Sequence, residues 1–149
     1  MNLEALLKDR NEMIVDRAMD AMERARLPHY KALGDAETRH LVTSLFETTR
    51  LTVEIRDAST MLAQADRIAE ERHSGGFDLF EVQIAFNALE ESIWKEILDA
   101  LDPAEQARAL GLISTTLGIG KDALARGYLA RATKTSAPSL DLKALFQGL

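Results

Sequence analysis

Between Leu79 and Leu101 every third or fourth residue is large and apolar: Leu79, Val82, Phe86, Leu89, Ile93, Ile97 and Leu101. That step follows the turn of an α-helix rather than the two-residue alternation of a strand. Similar steps recur along nearly the whole chain, which carries only 3 prolines. A chain patterned in this way folds as packed rods, each turning one apolar stripe inward. At 149 residues it suggests one domain, burying roughly 68–70% of its unfolded surface. The expected fold class is all-α, a single-domain helical bundle of about five main helices.

Local signals place the joints. A first helix is expected from about Asn2 to Ala25, with Leu3, Leu6, Leu7, Ile14, Ala18 and Met22 inward. Leu27-Pro28 ends it, because the residue before proline avoids the helical region. Asp35, after Gly34, is the expected N-cap of a second helix reaching about Asp57. Within it "LTVEIR" also fits strand alternation, but no turn signal separates that piece, so it stays helical. A third helix is expected over Ser59–His73, with Met61, Leu62, Ala65, Ile68 and Ala69 inward. Gly75 or Gly76 can close it in a left-handed conformation, and Asp78 with Glu81 has capping-box spacing for the fourth. "DPAE" at Asp102–Glu105 opens a long fifth helix to about Thr133. The helical domain thus spans 1–133, and 134–149 reads as a hinge ("TSAPS") with a short amphipathic tail ("LDLKALFQGL").

Composition narrows the function classes. Without cysteine there is no disulfide, thiolate chemistry or thiolate-bound zinc. A net charge of −6 repels phosphate backbones, so nucleic acid is not an expected partner. No apolar run approaches the ~18 residues of a membrane span. The start "MNLEALLKDRNEM" lacks the basic-then-apolar order of a signal peptide, and a cytoplasmic protein is the expectation. Charge is also unevenly spread. Residues 78–105 hold eight Asp/Glu against one Lys, and 106–149 hold six Lys/Arg against two Asp. An acidic helix followed by a basic one suggests antiparallel neighbours with complementary flanks.

The motifs that could carry chemistry each meet a structural reading. "HSGGFD" has no Lys and no preceding strand, and acids open its next helix, so it is a helix joint rather than a phosphate cradle. In "LGIGKDALA", Gly118, Gly120 and Ala123 have the spacing of a dinucleotide fingerprint. That fingerprint works only between a strand and a helix of a βαβ unit. Close helix approach, or a local break, accounts better for Gly111, Gly118, Gly120 and Gly127. Glu37–His40 and Glu70–His73 have the Glu-x-x-His spacing of di-metal bundles. By helical rotation, however, both His40 and Glu70 turn away from the apolar faces. The chain therefore shows no catalytic residue, no metal ligand and no cofactor-binding residue. The reading from another class is a haem or di-metal binding bundle, with any of the three histidines as the proximal haem ligand.

One ladder stands out. Gln83, Asn87, Glu90 and Trp94 climb one edge of the fourth helix beside Phe86, and could line a ligand pocket or a protein interface. Their ordinary reading is a solvated edge, with Glu90 reaching an arginine of the basic fifth helix.

Over "PHYKALGDAETRHLV" (Pro28–Val42) and "ADRIAEERHSGGFDLFEVQIAFNALEESIWKEIL" (Ala65–Leu98) the chain resembles the N-terminal sensor domains of RsbR-type stressosome proteins. These are the RsbT co-antagonists, and the RsbRD-like group is the nearest in pattern. The shared positions are Pro28, Tyr30, Leu33, Arg72, Gly76, Glu81, Val82, Ala85, Phe86, Leu89, Ile93 and Trp94. The resemblance implies a globin-like bundle without haem. It implies a non-enzymatic homodimeric sensor that passes a signal through helices, and it transfers no catalytic or ligand-binding residue; Tyr30 and Phe86 stand with the ladder as candidate pocket residues. In that family the output is often a STAS domain or a kinase. About 16 residues follow the long helix here, too few for such a domain, so either a STAS-domain or kinase partner acts in trans or this chain is the sensor piece of something longer.

Overall fold

Residues 1–135 are described by a computed structural model, and they contain seven helices and no strand. These are α1 (Leu3–Asp9), α2 (Asn11–Ala25), α3 (Pro28–Leu33), α4 (Asp35–Ile55), α5 (Ser59–Ser74), α6 (Leu79–Ala100) and α7 (Pro103–Thr135). The stretch that also fits a strand is helical, and its exposed Leu51 and Ile55 flank the buried Val53 as helix geometry requires. Of the proposed hinge and tail, residues 134 and 135 continue α7, and 136–149 lie outside the described residues.

Two departures raise the helix count above five. The expected first helix is broken at Arg10, whose backbone leaves the helical region at φ −112° and ψ 19°. No glycine or proline marks that break. Its partners lie far along the chain, where Arg10 Nη1 is 2.7 Å from Glu96 and 3.2 Å from Asp99. Arg17 closes on the other Glu96 oxygen at 3.0 Å, so one carboxylate that is 1% exposed fastens α1 and α2 to α6. The second departure is α3, a short helix with Pro28 at its start, where the missing N–H removes no bond.

Gly34 ends α3 at φ +97°, a conformation suited to glycine. Asp35 is therefore not the N-cap of α4 but its first residue, and Gly34 holds the cap position without a side-chain bond. The acid still favours the dipole of the first turn. Gly76, at φ +81°, makes the left-handed turn before α6. There Asp78 caps the helix by accepting from the Phe80 N–H. Glu81 completes no capping box, because both its oxygens are bound to His29 across the junction.

The core forms where α6 is flanked by α2 and α7, with α4 and α5 beyond. Val82, Phe86, Leu89, Ile93 and Ile97 are at most 1% exposed, as the stripe requires. Leu62, expected inward on α5, is instead 41% exposed. It edges an open groove between α5 and α7, where Ala123 and Gly127 are too small to reach it.

Glycine sets the spacing of α7 at two places. A Cβ on Gly127 would fall 2.7 Å from that of Ala69, and one on Gly120 would fall 2.9 Å from the Phe86 ring. These contacts also give direction. Gly120 meets Met61 and Gly127 meets Ala69, so α5 and α7 run parallel. Gln106 bonds to the Leu98 and Leu101 carbonyls while Lys121 reaches Asn87, so α6 and α7 run antiparallel.

Candidate functional site

The residues of the ladder on α6 fall in two places. Asn87 and Glu90 meet at Lys121 of α7, whose ammonium lies 2.9 Å from Asn87 Oδ1 and 3.7 Å from Glu90. This is the edge contact that the ordinary reading describes, made by a lysine instead of an arginine. Gln83 is half-buried on the same edge, and Trp94 is 36% exposed. Tyr30 and Phe86, by contrast, lie inside and line one small cavity together. The six candidates therefore divide into an outer edge and an inner junction.

The junction forms where α3, the end of α5, the Gly75–Asp78 turn and the start of α6 meet. Tyr30 is 5% exposed and packs edge-on against Phe77, with ring centres 4.9 Å apart. Phe77 also lies 5.0 Å from the His29 ring, and the Arg72 guanidinium sits 5.8 Å over its face. Glu81, 5% exposed, accepts from the His29 backbone N–H at 2.7 Å and meets its ring Nδ1 at 2.8 Å. From α7, the Tyr128 hydroxyl donates to the Phe77 carbonyl at 2.9 Å, and His73 stands edge-on to the Tyr128 ring.

Burial governs the acid–base character here. It pushes the Tyr128 phenol up to about 12, so the hydroxyl remains a donor. It raises Tyr30 as well, while neighbouring Arg72 pulls the other way. Arg72 is 7% exposed and interacts with the Tyr30 hydroxyl; its one ion pair among the described residues is with Glu71, at 3.2 Å and 63% exposed on its side chain. Sequence reasoning named Arg72 as part of a pattern but had no signal for its burial, since arginine is ordinarily at the surface.

The cavity at this junction has a volume of about 20 Å³ and is walled by Tyr30, Arg72 and apolar side chains of α4, α5 and α6. Tyr30 also borders a second cavity, of about 30 Å³, between α2, α3 and α4. Of the positions that carry the resemblance, Tyr30, Arg72, Val82, Ala85 and Phe86 all line the first cavity. Gly76 and Glu81 build the turn and the clasp beside it.

Glu37, His40 and Glu70 are exposed, and His73 is held against Tyr128. Among the described residues no group of three or more His, Asp or Glu is placed to hold a metal ion. No described helix is long and apolar enough to cross a membrane. No protein family, curated protein or solved structure matches this chain.

Proposed function

We propose that this chain is a non-enzymatic signalling domain of the stressosome co-antagonist sensor type, acting as a homodimer and through a protein partner in trans. The globin-like arrangement, the cytoplasmic setting and a STAS-domain or kinase partner belong to the same reading. The all-α fold, with seven helices among the described residues, supports the reading in coarse form.

The observation that carries it is the outer face of α7. Arg108, Gly111, Thr115, Asp122 and Arg126 are exposed along one side of this 33-residue helix, with half-buried Gly118 among them. A Cβ on Gly111 or Gly118 would meet nothing within 4 Å. Each of these glycines costs about 1 kcal/mol in a helix interior, and no contact among the described residues offsets it. Close approach of a second helix would. Trp94 and Leu98 of α6, the helix packed against α7, also leave apolar area exposed.

Charge selects the partner and its direction. Arg108 and Asp122 stand at equal distances on either side of Thr115. Two copies of α7 crossing antiparallel at Thr115 place Arg108 of each against Asp122 of the other, as a two-fold interface requires. Glu105 and Arg126, ten and eleven residues from Thr115, come close to each other one turn further out. A parallel crossing would set like charges together. The test is sedimentation equilibrium. Wild type is expected to be dimeric and Thr115→Arg monomeric with unchanged helicity. Arg108→Asp and Asp122→Arg should each weaken the dimer at least tenfold, and together restore it. A monomeric wild type at high concentration, or a dimer indifferent to all three, would overturn the proposal.

A further inference from the structure

Among the described residues one buried side-chain nitrogen or oxygen has no hydrogen-bond partner, and it is Nε of Arg72. The residue is more than nine-tenths buried. Among the described residues its one carboxylate neighbour within ion-pair distance, Glu71, lies out at the surface. Glu81, the buried acid of the same junction, bonds through both oxygens to His29 and makes no direct pair with Arg72. Arg72 therefore carries a cation into the interior with one N–H unpaired, an arrangement that favours an anionic acceptor beside it.

Space for one lies at the same place. Arg72 and Tyr30 share the wall of the 20 Å³ cavity, which is otherwise apolar, with Leu45, Ile68, Val82 and Phe86 among its lining. A single water needs about 10–15 Å³ measured in this way, so the cavity takes a ligand only slightly larger. The guanidinium supplies charge and a donor, and the Tyr30 hydroxyl, kept protonated by burial, is a second donor.

We propose that Arg72 and Tyr30 form a binding site for a compact monovalent anion, of the size of chloride or formate, within the helical core. Bound there, the anion bridges α3 to α5 beneath α6 and neutralises the buried arginine. The site uses none of the α7 outer face and stands whether or not the chain dimerises.

The Arg72 Nε–H gives a direct reporter by nuclear magnetic resonance, assigned through the backbone of the full chain. Chloride, formate and gluconate are titrated separately as sodium salts at constant ionic strength. The Nε–H signal is expected to move saturably with chloride or formate and to ignore gluconate, which is too large to enter. Saturation by formate alone identifies a small carboxylate as the ligand, and saturation by chloride alone a halide; either supports the site. Tyr30→Phe removes one hydroxyl, and is expected to weaken binding about tenfold without moving the remaining core signals. A signal that stays still in both salts, or moves equally in gluconate, would overturn the proposal. Unchanged affinity in Tyr30→Phe would overturn the role of Tyr30.

Discussion

Phe86→Ala is expected to lower the stability of the fold by about 3–5 kcal/mol, a large fraction of what a domain of this size possesses. Phe86 is among the largest fully buried side chains, and it touches α7 where Gly120 brings the two helices together. Removing the ring deletes apolar contact and leaves a void beside the existing cavity. A second substitution tests the geometry. A Cβ on Gly120 would lie 2.9 Å from Phe86 Cε2 and 2.8 Å from Met61 Sδ, so Gly120→Ala alone is overpacked. In the Phe86→Ala background half of that clash disappears and the new methyl partly fills the void. Urea melts of the two single variants and the double variant should therefore show the double to be less destabilised than the sum of the singles. Strict additivity would mean that α6 and α7 do not meet at this point.

The same change, glycine to alanine, is expected to have opposite signs at two positions of α7. At Gly127 the added methyl lands 2.7 Å from the Ala69 Cβ, an atom fixed to the α5 backbone. The helices must move apart, at about 1–3 kcal/mol, which outweighs the gain of about 1 kcal/mol in helix propensity. At Gly111 nothing lies within 4 Å, so the propensity gain stands alone. Thermal melts at low protein concentration should show Gly127→Ala falling and Gly111→Ala rising. Gly111→Ala should also weaken self-association, since its methyl occupies the surface proposed for a second copy. A loss of stability at both glycines would mean that the α7 outer face is already covered within the chain.

How far the sequence speaks for this fold depends on the range of the interaction concerned. The α6 stripe was legible because a helix buries one face along its whole length, whatever it packs against. So was the inward set of the first segment: Leu3, Leu6, Leu7, Ile14, Ala18 and Met22 are all at most 5% exposed. The break at Arg10 was not legible: no glycine or proline marks it, and the partners Arg10 meets there, Glu96 and Asp99, lie 86 and 89 residues away. The ends of α2 and α4 were legible, at Ala25 and within two residues of Ile55, but not their closure on left-handed Arg26 and Arg56, where glycine is the usual signal. Glu81 shows how a correct local pattern can mislead. Its spacing from Asp78 satisfies the capping rule, yet a buried partner on α3 takes the carboxylate. The candidate site was half legible for the same reason. Helical spacing located the edge at Asn87, Glu90 and Trp94, but the cavity at Tyr30 and Phe86 exists only because α3, α5 and α6 converge there.

The central claim is that two copies of α7 cross antiparallel at Thr115, and distances between spin labels test it most directly. The chain has no cysteine, so single cysteines at exposed Ala104 and Arg126 can be labelled without background. Antiparallel crossing puts Ala104 of one copy beside Arg126 of the other. A mixed sample should then show a separation within about 20 Å, given helix axes 8–10 Å apart. Two labels at Ala104 should stand about 33 Å apart along the axis. Short distances between identical positions, or no intermolecular distance at all, would contradict the account.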